Sequence, residues 1–308
     1  MRVALLAGGT GGAKLAAGMQ EEIGGALTVI ANTADDVETL GVHVSPDPDL
    51  CTYWLSGEID EERGWGIRED TFTVMGRLAD VGAPNWFSLG DRDLAACLYR
   101  AEFLREGGRQ TDAQAQIARG LGVSARVLPM SDAPVRTKVL TAAGRRDLQE
   151  YLIVDRGEPE VQGVELEGIG EAEPTAEVLA ALRDAEAIVI GPSNPVISIG
   201  PILAVPGMRE AIAASSAPVV AVSPFVAGEV VKGPTERFMA AVGRPSTAAG
   251  VASLYAGLID AMVVDEADPD PPPAEVPTLA APTLMDSAAA RARLGRIVLE
   301  YAAELTPR

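Results

Sequence analysis

The sequence predicts an α/β fold built on a doubly wound, mostly parallel sheet. Three features carry that expectation. Short all-apolar runs alternate with longer segments whose apolar residues recur at helical spacing. A glycine-rich loop joins the first of these runs to the first helical stripe. Acidic and small polar residues gather directly after the apolar runs, where a doubly wound sheet keeps its ligand crevice.

Taken in order, Arg2–Leu6 is the first strand, closing in Ala7-Gly8-Gly9-Thr10-Gly11-Gly12. Leu15, Met19 and Ile23, four residues apart, mark the helix that follows. The β-branched run Leu27–Ala31 is the second strand and ends in Asn32-Thr33-Ala34-Asp35-Asp36. Strand, helix and strand of this size make a right-handed βαβ unit. The same grammar returns at Ala187–Ile190, which opens into Gly191-Pro192-Ser193-Asn194-Pro195. Helix Met208–Ala214 and strand Val219–Val222 follow, the latter opening into Ser223-Pro224. Glu236–Val242 and Ala248–Leu258 read as helices and Ala261–Val264 as a further strand. Strands this uniformly apolar are buried on both faces.

The core is therefore expected to be Rossmann-like and assembled from residues 1–44 and 171–265. Between the halves, 45–170 loosens into a mixed α/β insertion that caps the carboxyl edge. It carries Trp54, Trp65 and Trp86, amphipathic stretches at Thr71–Val81 and Leu94–Leu104, and a strand-like Ala125–Leu128. Residues 266–282 contain Asp-Pro-Asp-Pro-Pro-Pro and read as an extended linker. In the tail, 283–308, Asp286 is the expected N-cap of a helix over Ala288–Glu304, packed on the core through Leu294, Ile297, Val298 and Tyr301.

Charge and composition exclude several classes of function. With 25 basic against 44 acidic residues among 308, the net charge is −19, which repels nucleic acid and anionic membranes. Any phosphate chemistry must rest on a local cluster of cations, loop amides and metal. No run reaches the ~18–20 apolar residues a membrane helix needs. Cys51 and Cys97 are the only thiols and form no CxxC pair, as in a cytoplasmic protein with reduced cysteines. His43 is the only histidine, so a two-histidine metal site is excluded and His43 itself reads as a bystander.

The glycine loop has the place of an anion cradle but neither common spacing. From Gly9 the sixth position of a GxGxxG motif is Lys14; a Walker loop would need Gly at Ala13 and Ser or Thr at Leu15. Asp35, Asp36, Asp47 and Asp49 follow the second strand closely, and oxygen ligands beside a phosphate cradle suit Mg²⁺. Capping and turn formation remain the alternative for any one of them. Arg63, Arg68, Arg92, Arg136 and Lys138 are candidates to pair with substrate phosphates, and Trp65, between two glycines, to stack on a planar ring.

Several motifs then fall in one order: Gly8-Gly9-Thr10-Gly11, Asn32-Thr33-Ala34-Asp35-Asp36, Pro46-Asp47-Pro48-Asp49, Trp65-Gly66-Ile67, Leu89-Gly90-Asp91-Arg92-Asp93, Leu128-Pro129-Met130-Ser131-Asp132, Gly191-Pro192-Ser193-Asn194-Pro195 and Ser223-Pro224. In these the chain resembles the 2-phospho-L-lactate transferase family of deazaflavin coenzyme F-420 biosynthesis. The resemblance implies a Mg²⁺-dependent homodimeric enzyme. It would move a 2-phospholactyl or phosphoenolpyruvyl group from a guanosine diphosphate ester to the ribityl hydroxyl of the deazaflavin Fo (7,8-didemethyl-8-hydroxy-5-deazariboflavin), releasing GMP. It assigns Fo binding to Asp49 and Arg92, with Trp65 beside them, and metal binding to Asp35 and Asp36. Nucleotide binding falls to Gly8, Gly9, Thr10, Gly11, Gly12, Asn32, Ser193, Asn194 and Ser223. Asp49, Asp36 and Arg92 are the expected catalytic residues, Asp49 as base. The alternative is a nucleotide-sugar-binding regulator of the gluconeogenesis-factor group, which shares the first two motifs but is expected to continue with glycines and serines after Asp36.

Overall fold

The computed structural model describes residues 1–306. Seven strands form its central sheet: β1 Val3–Ala7, β2 Leu27–Ala31, β3 Arg126–Pro129, β4 Ala187–Ile190, β5 Val219–Val222, β6 Ala261–Asp265 and β7 Thr278–Ala281. They stand in the order β7-β6-β5-β4-β1-β2-β3, and every pairing is parallel. The chain thus winds outward from β1 to one edge, then returns to the other side of β1 and winds to the opposite edge. The reversal falls between β1 and β4, and the loops leaving their carboxyl ends frame the crevice where such sheets bind ligands.

Alternation along β1 shows why both faces must be covered. Ala4 and Leu6 join one core with Ile188, Ile190 and Ala221, closed by Val178, Leu182, Ile202 and Ile212 from helices Ala176–Asp184, Ile199–Ala204 and Met208–Ala214. Val3, Leu5 and Ala7 face the other core. There α1 (Gly9–Ile23), α2 (Pro46–Ser56) and the C-terminal helix Ala288–Glu304 contribute Leu15, Met19, Tyr53, Trp54, Leu294 and Val298. Each such side chain removed from water contributes ~1.5–3 kcal/mol, the driving force for the two-faced sheet.

Three expectations require correction. Arg126–Pro129, read as part of the insertion, is an edge strand of the central sheet, paired with β2 from Thr28↔Arg126 to Ala31↔Pro129. The segment read as a linker contains β7, which pairs with β6 from Met262↔Thr278 to Asp265↔Ala281. Both edge strands are short and take their register from a distant partner, which local periodicity does not reveal. The tail helix is capped by Ser287, whose hydroxyl accepts Ala290 N at 3.2 Å, rather than by Asp286.

Residues 46–49, for which turn formation is the alternative reading, open helix α2. Proline fits a first turn because its missing N–H is one that the helix leaves unpaired. Residues 37–44, expected in the core, join the rest of the insertion in two small lobes. The hairpin Val37–Thr39/Val42–Val44 and helices Thr73–Asp80, α3 (Asp91–Arg105) and α4 (Gln110–Gly120) make one, packed through Val42, Val44, Met75, Leu89, Leu94 and Cys97. The antiparallel strands Arg136–Thr141, Gly144–Asp147 and Gly163–Glu167 make the other. Among the described residues, no helix is long and apolar enough to cross a membrane.

Candidate active site

The loop after β1 is shaped by what lies against it. Gly9 has φ +63°, a left-handed conformation that favours glycine. A Cβ on Gly11 would stand 2.1 Å from the Pro192 carbonyl oxygen, so only glycine lets the loops after β1 and β4 approach. Gly8 N donates to Ser193 Oγ at 3.1 Å, tying the two loops together. The result is a cavity of about 410 Å³ at the switch point, lined by Gly8, Gly9, Thr10 and Gly11. Ser193, Asn194 and Ser223 line it as well, while Gly12 and Asn32 lie behind it in the buried layer. Lys14 and Lys232 border it, and burial lowers the proton affinity of both. The N-terminus of α1 with two cations beside it makes an anion site in an otherwise acidic chain.

Asp47 is the joint of the site. Its Oδ1 accepts Gly9 N at 2.5 Å and its Oδ2 accepts Asn32 Nδ2 at 2.9 Å. Among the described residues it is also the one that lines both the cradle and a second cavity of about 340 Å³. Burial pushes its carboxyl up to about 6, against the two hydrogen bonds. Asp35 borders the cradle too and is raised well above the usual carboxylate range by burial, then by the charges of Asp47 and Asp36.

Asp36 is placed differently. Its oxygens accept Ser45 Oγ at 2.7 Å, Gln110 Nε2 at 2.7 Å and His43 Nε2 at 2.9 Å. With its lone pairs engaged by three protein donors, it pins the 37–44 hairpin to α4 instead of facing the cradle. His43, expected to be a bystander, bridges Asp36 and Glu38. Burial opposes its charge, but hydrogen bonds to both carboxylates raise its pKa to about 9.

The second cavity is aromatic. Trp65, Trp86, Phe87 and Leu89 wall it, with Asp49 and Asp93 on its lining. Trp65 is 41% exposed and stands ready for a planar partner. Asp49 Oδ1 is bound by Arg100 NH2, and the guanidinium also donates to Gln114 Oε1 at 3.0 Å and His43 O at 3.2 Å. Asp49 Oδ2 is buried without a partner. Arg92, expected beside Asp49, is exposed and lines a separate depression with Tyr53, Glu58 and Tyr99. The structure therefore brings Asp49 and Trp65 together and leaves Arg92 apart.

Arg100 escaped the sequence reading, and Asp93 entered it only within the Leu89–Asp93 motif with no role of its own, although a signal was present. Asp93, Cys97 and Arg100 follow at four- and three-residue spacing, a polar stripe on the buried face of α3. All three are buried, and groups of Asp49, Asp93 and Cys97 lie within 4.8 Å of one another.

Two cavities that meet at a single carboxylate suit the passage of a group from one bound molecule to another, which is the work of a transferase. Comparison with known proteins makes the class specific. The chain belongs to the 2-phospho-L-lactate transferase family: the model of 2-phospho-L-lactate transferase CofD matches residues 3–299. A 2-phospho-L-lactate transferase from Methanosarcina mazei is 42% identical over 265 residues, 86% of this chain and 87% of that one. A phosphoenolpyruvate transferase from Streptomyces griseus is 41% identical over 316 residues, 99% of each. A crystal structure of a Bacillus halodurans protein of the UPF0052 family superposes with a TM-score of 0.65 at 20% identity, covering 96% of this chain and 98% of that one, which shows the shared fold.

Proposed function

We propose that the enzyme transfers a 2-phospholactyl or phosphoenolpyruvyl group from a guanosine diphosphate ester to the ribityl hydroxyl of Fo, with Mg²⁺ and with release of GMP. The observation that carries this reading is Asp47, shared by the cradle and the aromatic cavity. The diphosphate of the donor belongs in the cradle, against the loop amides, Lys14 and Lys232. The deazaflavin ring belongs between Trp65, Trp86 and Phe87, which leaves its ribityl chain to reach the joint.

The residues fit a magnesium ion. Asp35 and Asp47 are buried beside the phosphate cradle, neither forms an ion pair among the described residues, and burial raises both above the carboxylate range. Two carboxylates without an ion-pair partner are the donor set that would hold a hard dication here. Such an ion neutralises charge on the diphosphate during transfer. The expected pair Asp35 and Asp36 is thereby revised to Asp35 and Asp47.

In the reaction the hydroxyl oxygen forms a bond to phosphorus, the bond from phosphorus to the GMP oxygen breaks so that GMP leaves as its phosphate anion, and the hydroxyl proton passes to water. A loose transition state asks for alignment and charge neutralisation more than for a strong base. Asp47, at the joint, orients the hydroxyl by accepting its hydrogen bond. Asp49, deep in the aromatic cavity and paired with Arg100, serves to hold the ring. Isothermal titration in the presence of Mg²⁺ tests this reading. Binding of both Fo and guanine nucleotide is expected; tight binding of a uridine diphosphate sugar without Fo binding would instead support a regulator.

A further inference from the structure

Two carboxyl groups line the aromatic cavity, and their surroundings differ. Arg100, wholly buried, neutralises Asp49. No lysine or arginine pairs with Asp93 among the described residues, and Tyr53 donates its hydroxyl to Asp93 Oδ1 at 2.7 Å. Among the described residues, no hydrogen bond to Asp93 Oδ2 accompanies it. Asp49 and Asp93 are close neighbours with one cation between them, so a single proton is best placed on the carboxyl that lacks the guanidinium. The Asp93 carboxyl is pushed up to about 7, first by burial and then by Asp49, against Tyr53 and Arg100. The groups that face it are Asp49 and Tyr53 from α2, Asp70, whose Oδ2 accepts Asp93 N at 3.2 Å, and Cys97 and Arg100 from its own helix. A metal ion on this cluster would sit against Arg100, which argues for a hydrogen-bonding role instead.

We propose that Asp93 acts as a neutral hydrogen-bond donor in the aromatic cavity and, with ionised Asp49 beside it, selects a ring edge carrying a donor and an acceptor side by side. The inference rests on the acceptor reading above. The pyrimidinedione edge of a deazaflavin has this pattern: its N–H meets the unpartnered Asp49 Oδ2, and the adjacent carbonyl oxygen accepts from Asp93. An edge with two donors leaves the Asp93 proton facing a proton, and an edge with two acceptors meets the Asp49 carboxylate.

The test is isothermal titration of Fo into the wild-type protein, Asp93→Asn, Asp93→Ala and Tyr53→Phe from about pH 5.5 to about pH 8.5, with melting temperatures confirming the fold. Comparison at equal pH cancels the titration of the ligand itself. Wild-type affinity is expected to fall by about tenfold above pH 7 as Asp93 loses its proton. Asp93→Asn keeps a donor that does not ionise; it should bind within about threefold of wild type at pH 6 and lose that fall. Asp93→Ala should bind at least about tenfold more weakly. Tyr53→Phe removes a donor that favours the ionised carboxyl and should move the fall to higher pH. The inference is overturned if Asp93→Ala binds like wild type, or if Asn and Ala weaken binding alike with the pH profile unchanged. An unmoved profile in Tyr53→Phe also counts against it. If the wild type takes up no Fo at any pH, the acceptor reading itself falls and the inference with it.

Discussion

The Asp47 carboxylate accepts the Gly9 amide at 2.5 Å, and through this bond the first turn of α2 is fastened to the glycine loop after β1. Residues far apart in the chain thereby share one joint, and the two cavities of the site meet there. Asp47→Asn turns one carboxylate oxygen into a donor, facing either Gly9 N or Asn32 Nδ2, both already donors. We expect turnover to fall by roughly a hundredfold or more, about 3 kcal/mol of transition-state stabilisation, with Fo affinity changing much less. Steady-state kinetics beside Fo titration separate the two; equal losses in both would remove Asp47 from the reaction.

Acidity bears on the metal-free protein through Asp35 and Asp47. Both hold protons in the fold that the unfolded chain releases near pH 4. Their contribution to stability is fully present below that pH and is lost as pH rises through about 6 for Asp47 and through the raised range of Asp35. For Asp47 the rise from 3.8 to about 6 corresponds to about 3 kcal/mol at most. The metal-free protein should therefore melt at a lower temperature at pH 7 than at pH 5. Mg²⁺ should raise the melting point more at pH 7, and Asp35→Asn should abolish most of that gain. Calorimetry that shows an equal Mg²⁺ effect in Asp35→Asn would move the ion elsewhere.

Arg100 lies wholly buried against Asp49. Removing one partner of a buried ion pair strands the other charge, so Arg100→Met should destabilise the protein by about 3–5 kcal/mol. Adding Asp49→Leu should recover part of that loss in urea unfolding, even though Fo binding stays lost. No recovery in the double variant would mean that Arg100 acts through Gln114 and the His43 carbonyl rather than through Asp49.

Trp65 is more exposed than Trp86, Phe87 and Leu89 in the aromatic cavity, and Arg63 stacks on its ring at 5.3 Å. Trp65→Ala should raise KM for Fo about tenfold, through loss of roughly 1.5 kcal/mol of stacking, with kcat little changed. A loss confined to kcat would place Trp65 near the transferred group instead.

Much of this molecule is written in local patterns. The central strands Leu27–Ala31, Ala187–Ile190 and Val219–Val222 stand where their apolar runs place them, because a strand buried on both faces has no polar positions to blur its edges. The glycine loop and the aspartates that follow β2 were legible for the same reason, since a ligand crevice lies beyond the carboxyl ends of parallel strands. What sequence concealed depends on distant pairing. Arg126–Pro129 and Thr278–Ala281 acquire meaning only beside β2 and β6. Asp36 looks as available as Asp35 in the sequence, yet Ser45, His43 and Gln110 close around it. Arg92 and Arg100 lie two helical turns apart on α3, and only the packing of that helix buries Arg100 against Asp49 and turns Arg92 to the surface.

Group transfer to a deazaflavin can be read out by mass spectrometry of the reaction mixture. Purified protein, Fo and Mg²⁺ are incubated with the guanosine diphosphate ester of either 2-phospholactate or phosphoenolpyruvate. Fo should be converted to its phosphodiester-linked product with one GMP released per product, and chelating the metal should stop both. Unchanged Fo with both donors, under conditions where the protein is folded and binds guanine nucleotide, would contradict the transfer.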